Sequence, residues 1–403
     1  MATISINAVV GENGIINKAQ HAKDLQRAST VEEKVAMWKA TKTLAKYTDN
    51  SGVQRRDELV ADLVQEGLLT TSEKTTIEET GSVTIAGKTI SFGKTLVEMF
   101  EAGEIKVGDY VNYQNPTSGT YTVSGTKTGM QNYKDNGSTV ADEDLNQVYN
   151  IANNQLNWRV LGIDEETGGL KLIAGSPMKK ETTSNNPYLM MYGAQSYVTG
   201  VDELNNICAL YKNDLAVRAR SVNIDDVNAI TGVTTEDKIK EVNLDAYNGG
   251  KQYGETYSFT DQYTPESWLN NKTKTTVSGT VDGYYYAVNA PSEAGVPASA
   301  SVSDTTAYNL LFNNVEYGSG ACYWLASRGV RADSSYAYFG LGAVGAEDGL
   351  TFANGGDLMF ISYGDEYDDG LAVRPVVVLG SDVTESDIQV IEAQTETTWN
   401  YGN

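Results

Sequence analysis

An α+β architecture is predicted, on three observations. A long amphipathic helix opens the chain, and a small module mixing short helices with a hairpin follows it. Beyond that, short apolar runs alternate with loops rich in Gly, Asn, Ser and Thr. Four segments result: an N-terminal helix over 1–50, a small α/β module over 51–106, a larger domain over 107–380 and a tail over 381–403.

From Ala19, apolar residues recur at Ala22, Leu25, Ala28, Val31, Val35 and Trp38, steps of three and four that make one helical stripe. Lys23, Asp24, Glu32, Glu33, Lys39 and Lys42 fill the opposite face, and Asp49-Asn50-Ser51-Gly52 stops the run. One continuous helix over Gly11–Tyr47 is therefore expected. Asp57–Gln65 forms a short helix ended by Gly67, and Ser82–Phe92 a hairpin turning at Gly87-Lys88. Thr95–Ala102 is another short helix, with Gly103 as its C-cap. Asn157–Asp164 and Leu170–Ala174 flank a Gly-Gly turn and predict a second hairpin. Asp202–Tyr211 and Ile224–Ile230 are expected helices, the latter closed by Gly232. The stretch Asn270–Ser303 reads as a surface insertion, and Tyr323–Arg328, Ala337–Leu341 and Leu371–Leu379 as strands.

Composition narrows the function classes. The 53 acidic residues exceed the 30 basic ones, leaving a formal charge of −23. That disfavours nucleic acid and anionic membrane surfaces, which require basic patches. One histidine, His21, and two cysteines, Cys208 and Cys322, exclude most zinc sites and any triad needing a second histidine. No run approaches 18 apolar residues, the length a spanning helix needs. Tyrosines number 25 against 7 phenylalanines and 5 tryptophans, a bias that suits a binding surface because the ring is large, rigid and polar at its tip. Tyrosine is also a good strand former.

Two motifs carry family resemblances. Gly11-Glu-Asn-Gly-Ile-Ile-Asn-Lys-Ala-Gln20, within Thr3–Ala22, resembles the type IV pilin-like proteins of Gram-positive bacteria. The resemblance implies a precursor with an apolar span before Thr3. It also implies an extracellular, cell-surface or pilus location, with other pilin subunits as possible partners.

The second motif opens with Cys322-Tyr-Trp-Leu-Ala-Ser-Arg328 and closes with Gly370-Leu-Ala-Val-Arg-Pro-Val-Val-Val-Leu379. With Ala219–Gly232, Val107–Tyr113 and Trp158–Leu161, these stretches resemble a bacterial branch of the C-type-lectin-like fold. That branch includes variable proteins of diversity-generating retroelements, where mutagenesis acts at adenines. The resemblance implies a lectin-like domain whose central sheet and ligand face lie in Tyr323–Leu379. It further implies a surface-displayed adhesin or receptor for an unidentified protein or cell-surface ligand; no cofactor and no catalytic residue is expected.

Between the two closing motifs, apolar Val330, Ala332, Ala337, Phe339, Leu341 and Val344 can point inward. Strand alternation with loop interruptions then turns Gly329, Arg331, Asp333, Tyr336, Tyr338, Gly342, Ala343, Gly345 and Ala346 outward as a ligand face. An ordinary loop-rich edge is the bland alternative. Trp324 is expected in the core. Arg374, in an apolar run, is expected to form an ion pair or to clamp carbonyls.

Asp365-Glu366-Tyr367-Asp368-Asp369 lacks EF-hand spacing and reads as a solvated loop, so no metal site is expected. Asp225 and Asp226 read as first-turn acids favoured by a helix dipole. The same fold resembles formylglycine-generating enzymes, but Cys208 and Cys322 lack an adjacent activating base. A disulfide or two buried thiols is the reading preferred to catalysis. A structural pilus subunit without a ligand site, and less favoured an oxidase, remain as alternatives.

Overall fold

In the computed structural model an N-terminal helix and several small sheets make a mixed α+β protein. The structure describes residues 15–45, 54–183, 187–232, 250–270, 272–282, 286–289, 300–301, 306, 310–311, 323–347, 350–354, 359–360, 368–385, 387–388 and 390–391. Two compact units divide the chain. The first comprises Met1–Asn112, Gly162–Leu170 and Leu379–Glu392, and the second Tyr113–Leu161, Lys171–Val378 and Ala393–Asn403.

The first unit opens with α1 (Ile15–Ala45), then α2 (Arg56–Gln65), α3 (Thr71–Thr80), β1 (Ser82–Ile85), β2 (Lys88–Ser91), α4 (Leu96–Glu101) and β3 (Tyr110–Val111). The helical stripe of α1 drives its packing. Ala28, Val31, Val35 and Trp38 are buried with Leu59, Val60 and Leu63 of α2, Ile77 of α3, and Val83, Ile85 and Ile90 of the hairpin. The stripe begins to pack later than its spacing suggests. Ile15–Ala22 are exposed, Leu25 is 43% exposed, and contact starts at Arg27, whose Nη1 donates to Glu73 Oε2 at 2.7 Å and to the Leu68 carbonyl at 3.2 Å. Gly11–Gly14 and Lys46–Tyr47, the ends of the expected helix, lie outside the described residues.

Helix α3 carries a single buried apolar residue, Ile77, so no stripe announces it. Its ends specify it instead. Thr70 Oγ1 accepts from the Glu73 amide at 3.1 Å, and Glu73 Oε2 accepts from the Thr70 amide at 2.7 Å, closing a capping box. Gly81 ends the helix at φ 68°. The β1–β2 turn is Ala86-Gly87, at φ 51° and 83°, because Ile85 pairs with Lys88; the turn falls one residue before the one expected. Both central residues at positive φ give the twist a two-residue hairpin needs. Strand β3 pairs antiparallel with Val390–Ile391.

A Cβ added at Gly81 would lie 2.6 Å from the Gly93 carbonyl oxygen. Gly81→Ala is therefore expected to lower unfolding stability by about 2 kcal/mol, from left-handed strain together with that clash. Gly67→Ala, at φ 72° with open space around it, shares only the strain and should lose less. Urea denaturation of both variants checks this; equal losses would contradict it.

The second unit contains all or most of each of β4 (Thr120–Thr122), α5 (Lys127–Asp135), β5 (Val148–Asn150), β6 (Trp158–Ile163), β7 (Leu170–Ala174), β8 (Leu189–Tyr192), α6 (Gly193–Ala209), β9 (Ala216–Ser221) and α7 (Ile224–Thr231). After these come β10 (Thr256–Gln262), α8 (Pro265–Asn270), β11 (Thr275–Thr280), β12 (Tyr286–Asn289), β13 (Ala300–Ser301), β14 (Tyr323–Ala332), β15 (Ala337–Glu347), β16 (Leu350–Asn354), β17 (Met359–Phe360), β18 (Asp368–Leu371) and β19 (Pro375–Leu379). Neighbouring strands run β6, β7, β19, β9 in one sheet. Val376, Val377 and Val378 lie opposite Ile173, Leu172 and Lys171, and β7 and β19, apolar but for Lys171, are buried on both faces. Trp158 sits between Tyr113 and Tyr211 in edge contacts at 5.3 and 5.4 Å, its Nε1 donating to Asn115 Oδ1 at 2.8 Å.

A second sheet runs β13, β12, β16, β15, β14, with β17 also on β15. Asn270–Ser303 is thus more than a surface insertion: β11 pairs with β10, and β12 with β16. Threonine and serine on the outer positions hide the strand signal of β11, whose inner Val277 is buried.

Candidate functional site

The β14–β15 hairpin is the longest in the described residues and carries the expected ligand face. Its register pairs Ala332 with Ala337, Arg331 with Tyr338, Val330 with Phe339 and Gly329 with Gly340. Alternation then divides the residues by chemistry. Val330, Ala332, Ala337 and Phe339 are buried in one cluster with Ala194, Tyr257, Val277 and Val281, and half-buried Tyr197, Phe259, Tyr263 and Trp268 pack against it. Arg331, Asp333, Tyr336 and Tyr338 stay half-buried near the tip.

The tip has a defined geometry. The Asp333 amide donates to the Tyr336 carbonyl at 3.0 Å, closing the loop Asp333–Tyr336. Asp333 Oδ1 accepts from the Ser335 and Tyr336 amides at 2.5 and 2.7 Å, and Oδ2 from the Tyr338 hydroxyl at 2.6 Å. Asp333, expected on the ligand face, is half-buried, and its carboxylate shapes the turn and orients Tyr338. From beneath, Gln262, 2% exposed, donates through Nε2 to the Ser335 carbonyl at 2.5 Å and accepts from the Ala337 amide at 3.4 Å. Asp282 holds the next turn of strand: its Oδ1 accepts from the Val330 amide at 2.5 Å and its amide donates to the Val330 carbonyl at 3.1 Å. Neither Gln262 nor Asp282 carries a sequence signal for this role, because both are brought in by tertiary pairing.

The other expected face residues divide. Gly342 is half-buried, and a Cβ there would meet Leu325 Cβ at 3.1 Å. Gly329 and Ala343 are buried, against the outward positions expected of them. Ala343 goes inward because β15 runs uninterrupted over Ala337–Glu347, which keeps it in phase with Phe339 and Leu341. It faces Trp324 after a register shift between Trp324 and Arg328. Gly329 sits in the middle of β14 opposite Gly340, itself buried. Gly345 and Ala346 pair with Phe352 and Thr351; their exposure lies outside the described residues.

Trp324 is 2% exposed, its Nε1 donating to the Leu189 carbonyl at 3.1 Å. Arg374, 1% exposed, clamps carbonyls: Nε donates to Ala174 at 3.2 Å and Nη2 to Leu310 at 2.6 Å, with the guanidinium 5.0 Å from the Tyr323 ring centroid. Arg328 is exposed and donates to the Val198 carbonyl at 2.6 Å, over the Tyr197 ring. Burial pushes the Tyr197 phenol up to about 12, so that ring stays neutral beside the hairpin.

Asp226 does more than decorate a helix start. It completes the α7 capping box with Asn223 and is 1% exposed while receiving both Arg220 and Lys171. Cys208 is a buried free thiol whose pKa burial drives up, so it is held in the protonated form. Cys322 and Asp365–Tyr367 lie outside the described residues. Among the described residues no group of three His, Cys, Asp or Glu side chains is arranged to hold a metal, and no helix is long and apolar enough to cross a membrane. The chain matches no family model, no curated protein and no solved structure.

Proposed function

We propose that the chain is a surface-displayed, pilus-associated ligand-binding protein of the adhesin or receptor type, and that it reads its ligand with the tip of the β14–β15 hairpin. One observation carries this reading. The hairpin places its apolar residues in a defined core and leaves Arg331, Tyr336 and Tyr338 partly exposed, so side chains at the tip can change without disturbing the fold. Arginine and tyrosine are also enriched among the residues that anchor interfaces, whose truncation costs about 2 kcal/mol or more. The lectin-like fold and retroelement-driven diversification belong to the same proposal and rest on the resemblance of the two closing motifs.

The test pairs stability with binding. Tyr336→Ala and Tyr338→Ala are expected to shift unfolding by no more than about 1 kcal/mol, allowing for the lost Asp333 contact in the second. Both should weaken capture of the ligand recovered from a cell-surface protein or glycan screen by at least about tenfold. Tyrosine variants that unfold as readily as a core variant would end the reading.

A structural pilus subunit is the second reading. It draws on Ile15, Ile16 and Met37, exposed by 70, 54 and 64% along α1. Concentration-dependent assembly abolished by Ile15→Asp and Met37→Asp, and indifferent to tip variants, would favour it.

A further inference from the structure

We propose a second binding surface in the second unit, built on β10, α8 and β11 beside the hairpin: a lysine–aromatic patch continued by a ladder of hydroxyls, fitted to an acidic polysaccharide. The patch follows from the segment joining β10 to β11. Helix α8 delivers Trp268, whose ring meets Tyr263 edge-on at 5.0 Å. Lys272 Nζ lies 4.4 Å from the Trp268 ring centroid, and Lys274 Nζ lies 5.5 Å from that of Tyr263. Both lysines are exposed.

The aromatic faces fix where the two ammonium groups stand, so less freedom is lost when an anion docks on them. Among the described residues, Lys272 makes no ion pair with a carboxylate, and Lys274 reaches only Asp261, at 3.5 Å with that side chain 79% exposed. In a chain of net charge −23, two neighbouring exposed ammonium groups of this kind are a local exception.

The hydroxyls supply the second half. Leading away from Lys274, β11 sets Ser278 opposite Ser258 and Thr280 opposite Thr256, all four exposed, while Tyr257 and Val277 on the other face are buried. From Lys274 to Thr280 the strand spans about 20 Å, at roughly 3.4 Å per residue. Each hydroxyl can donate and accept, the exchange that sugar hydroxyls offer. Ammonium groups at one end and a polar, uncharged track beyond it favour a polyhydroxylated polyanion over an acidic peptide, which has no use for the ladder.

The probe is polygalacturonate, titrated into the full chain at physiological ionic strength, with dextran and poly-L-glutamate as controls. Polygalacturonate is expected to bind, and the double variant Lys272→Glu/Lys274→Glu to lose at least about tenfold in affinity. Ser278→Ala/Thr280→Ala should weaken it to a lesser degree, and both controls should bind at least tenfold less well than polygalacturonate. Equal binding of poly-L-glutamate or of dextran, no binding of polygalacturonate, or full binding by the lysine variant would each overturn the proposal. Tyr336→Ala and Tyr338→Ala are expected to leave this titration unchanged, so its outcome is independent of the hairpin-tip reading.

Discussion

Trp324→Ala is expected to lower unfolding stability by about 3–5 kcal/mol, the range for removing a large aromatic from a packed core. The indole is buried opposite Ala343, on a strand whose amide at the same residue donates to the Ala372 carbonyl at 3.0 Å. Truncation removes the apolar contacts and strands the Leu189 carbonyl, which now accepts from Nε1. Trp324→Phe separates the two effects. It keeps most of the apolar volume and loses the donor, so about 1–3 kcal/mol should remain. Chemical denaturation reads both, and an alanine variant within 1 kcal/mol of the parent would show the indole to be dispensable, about a third of the smallest loss expected.

Asp226→Ala is expected to be of similar size, about 3–5 kcal/mol, because it leaves buried Lys171 and half-buried Arg220 without their shared partner. Arg220 reaches both carboxylate oxygens, at 2.6 and 2.9 Å, and Lys171 reaches Oδ1 at 3.0 Å. The variant also opens the α7 capping box, in which Oδ2 accepts from the Asn223 amide at 3.1 Å. The pair has a pH signature. Burial raises the Asp226 carboxyl, but Arg220 and Lys171 outweigh it and hold the group below the usual aspartate range. A folded-state pKa below the unfolded value of about 3.9 means that the stabilisation is complete above roughly pH 4. It is then lost as pH falls through the folded value. Asp226→Asn should therefore show a shallower loss of stability below about pH 4 than the parent. An unchanged acid limb would place the parent's acid sensitivity elsewhere.

Much of this arrangement was legible in the residues. The α1 stripe from Ala28, the alternation of Val330, Ala332, Ala337 and Phe339, and the apolar strands β7 and, within Leu371–Leu379, β19 are local patterns that burial then enforces. Helices α3 and α5 were not legible, since both are rich in polar residues and α5 contains Gly129. Helix α6 begins at Gly193, nine residues before the expected Asp202, because its first turns pack through small residues such as Ala194 and Ser196. The turn between β14 and β15 is legible from the alternation on either side of it, but the work of Asp333 is hidden in contacts with its own loop. Gln262 and Asp282 illustrate the limit of local pattern: each acts on a strand far along the chain, through hydrogen bonds that only the tertiary pairing creates.

The separation of core from recognition surface is tested most directly by saturating every position from Tyr323 to Glu347 and scoring folded yield. Substitution at Arg331, Tyr336 and Tyr338 is expected to leave folded protein at nearly parental levels for most residue types. At Trp324, Val330, Ala332, Ala337 and Phe339, only small apolar changes should survive. Equal intolerance at the two sets of positions would contradict a hairpin built to vary at its tip.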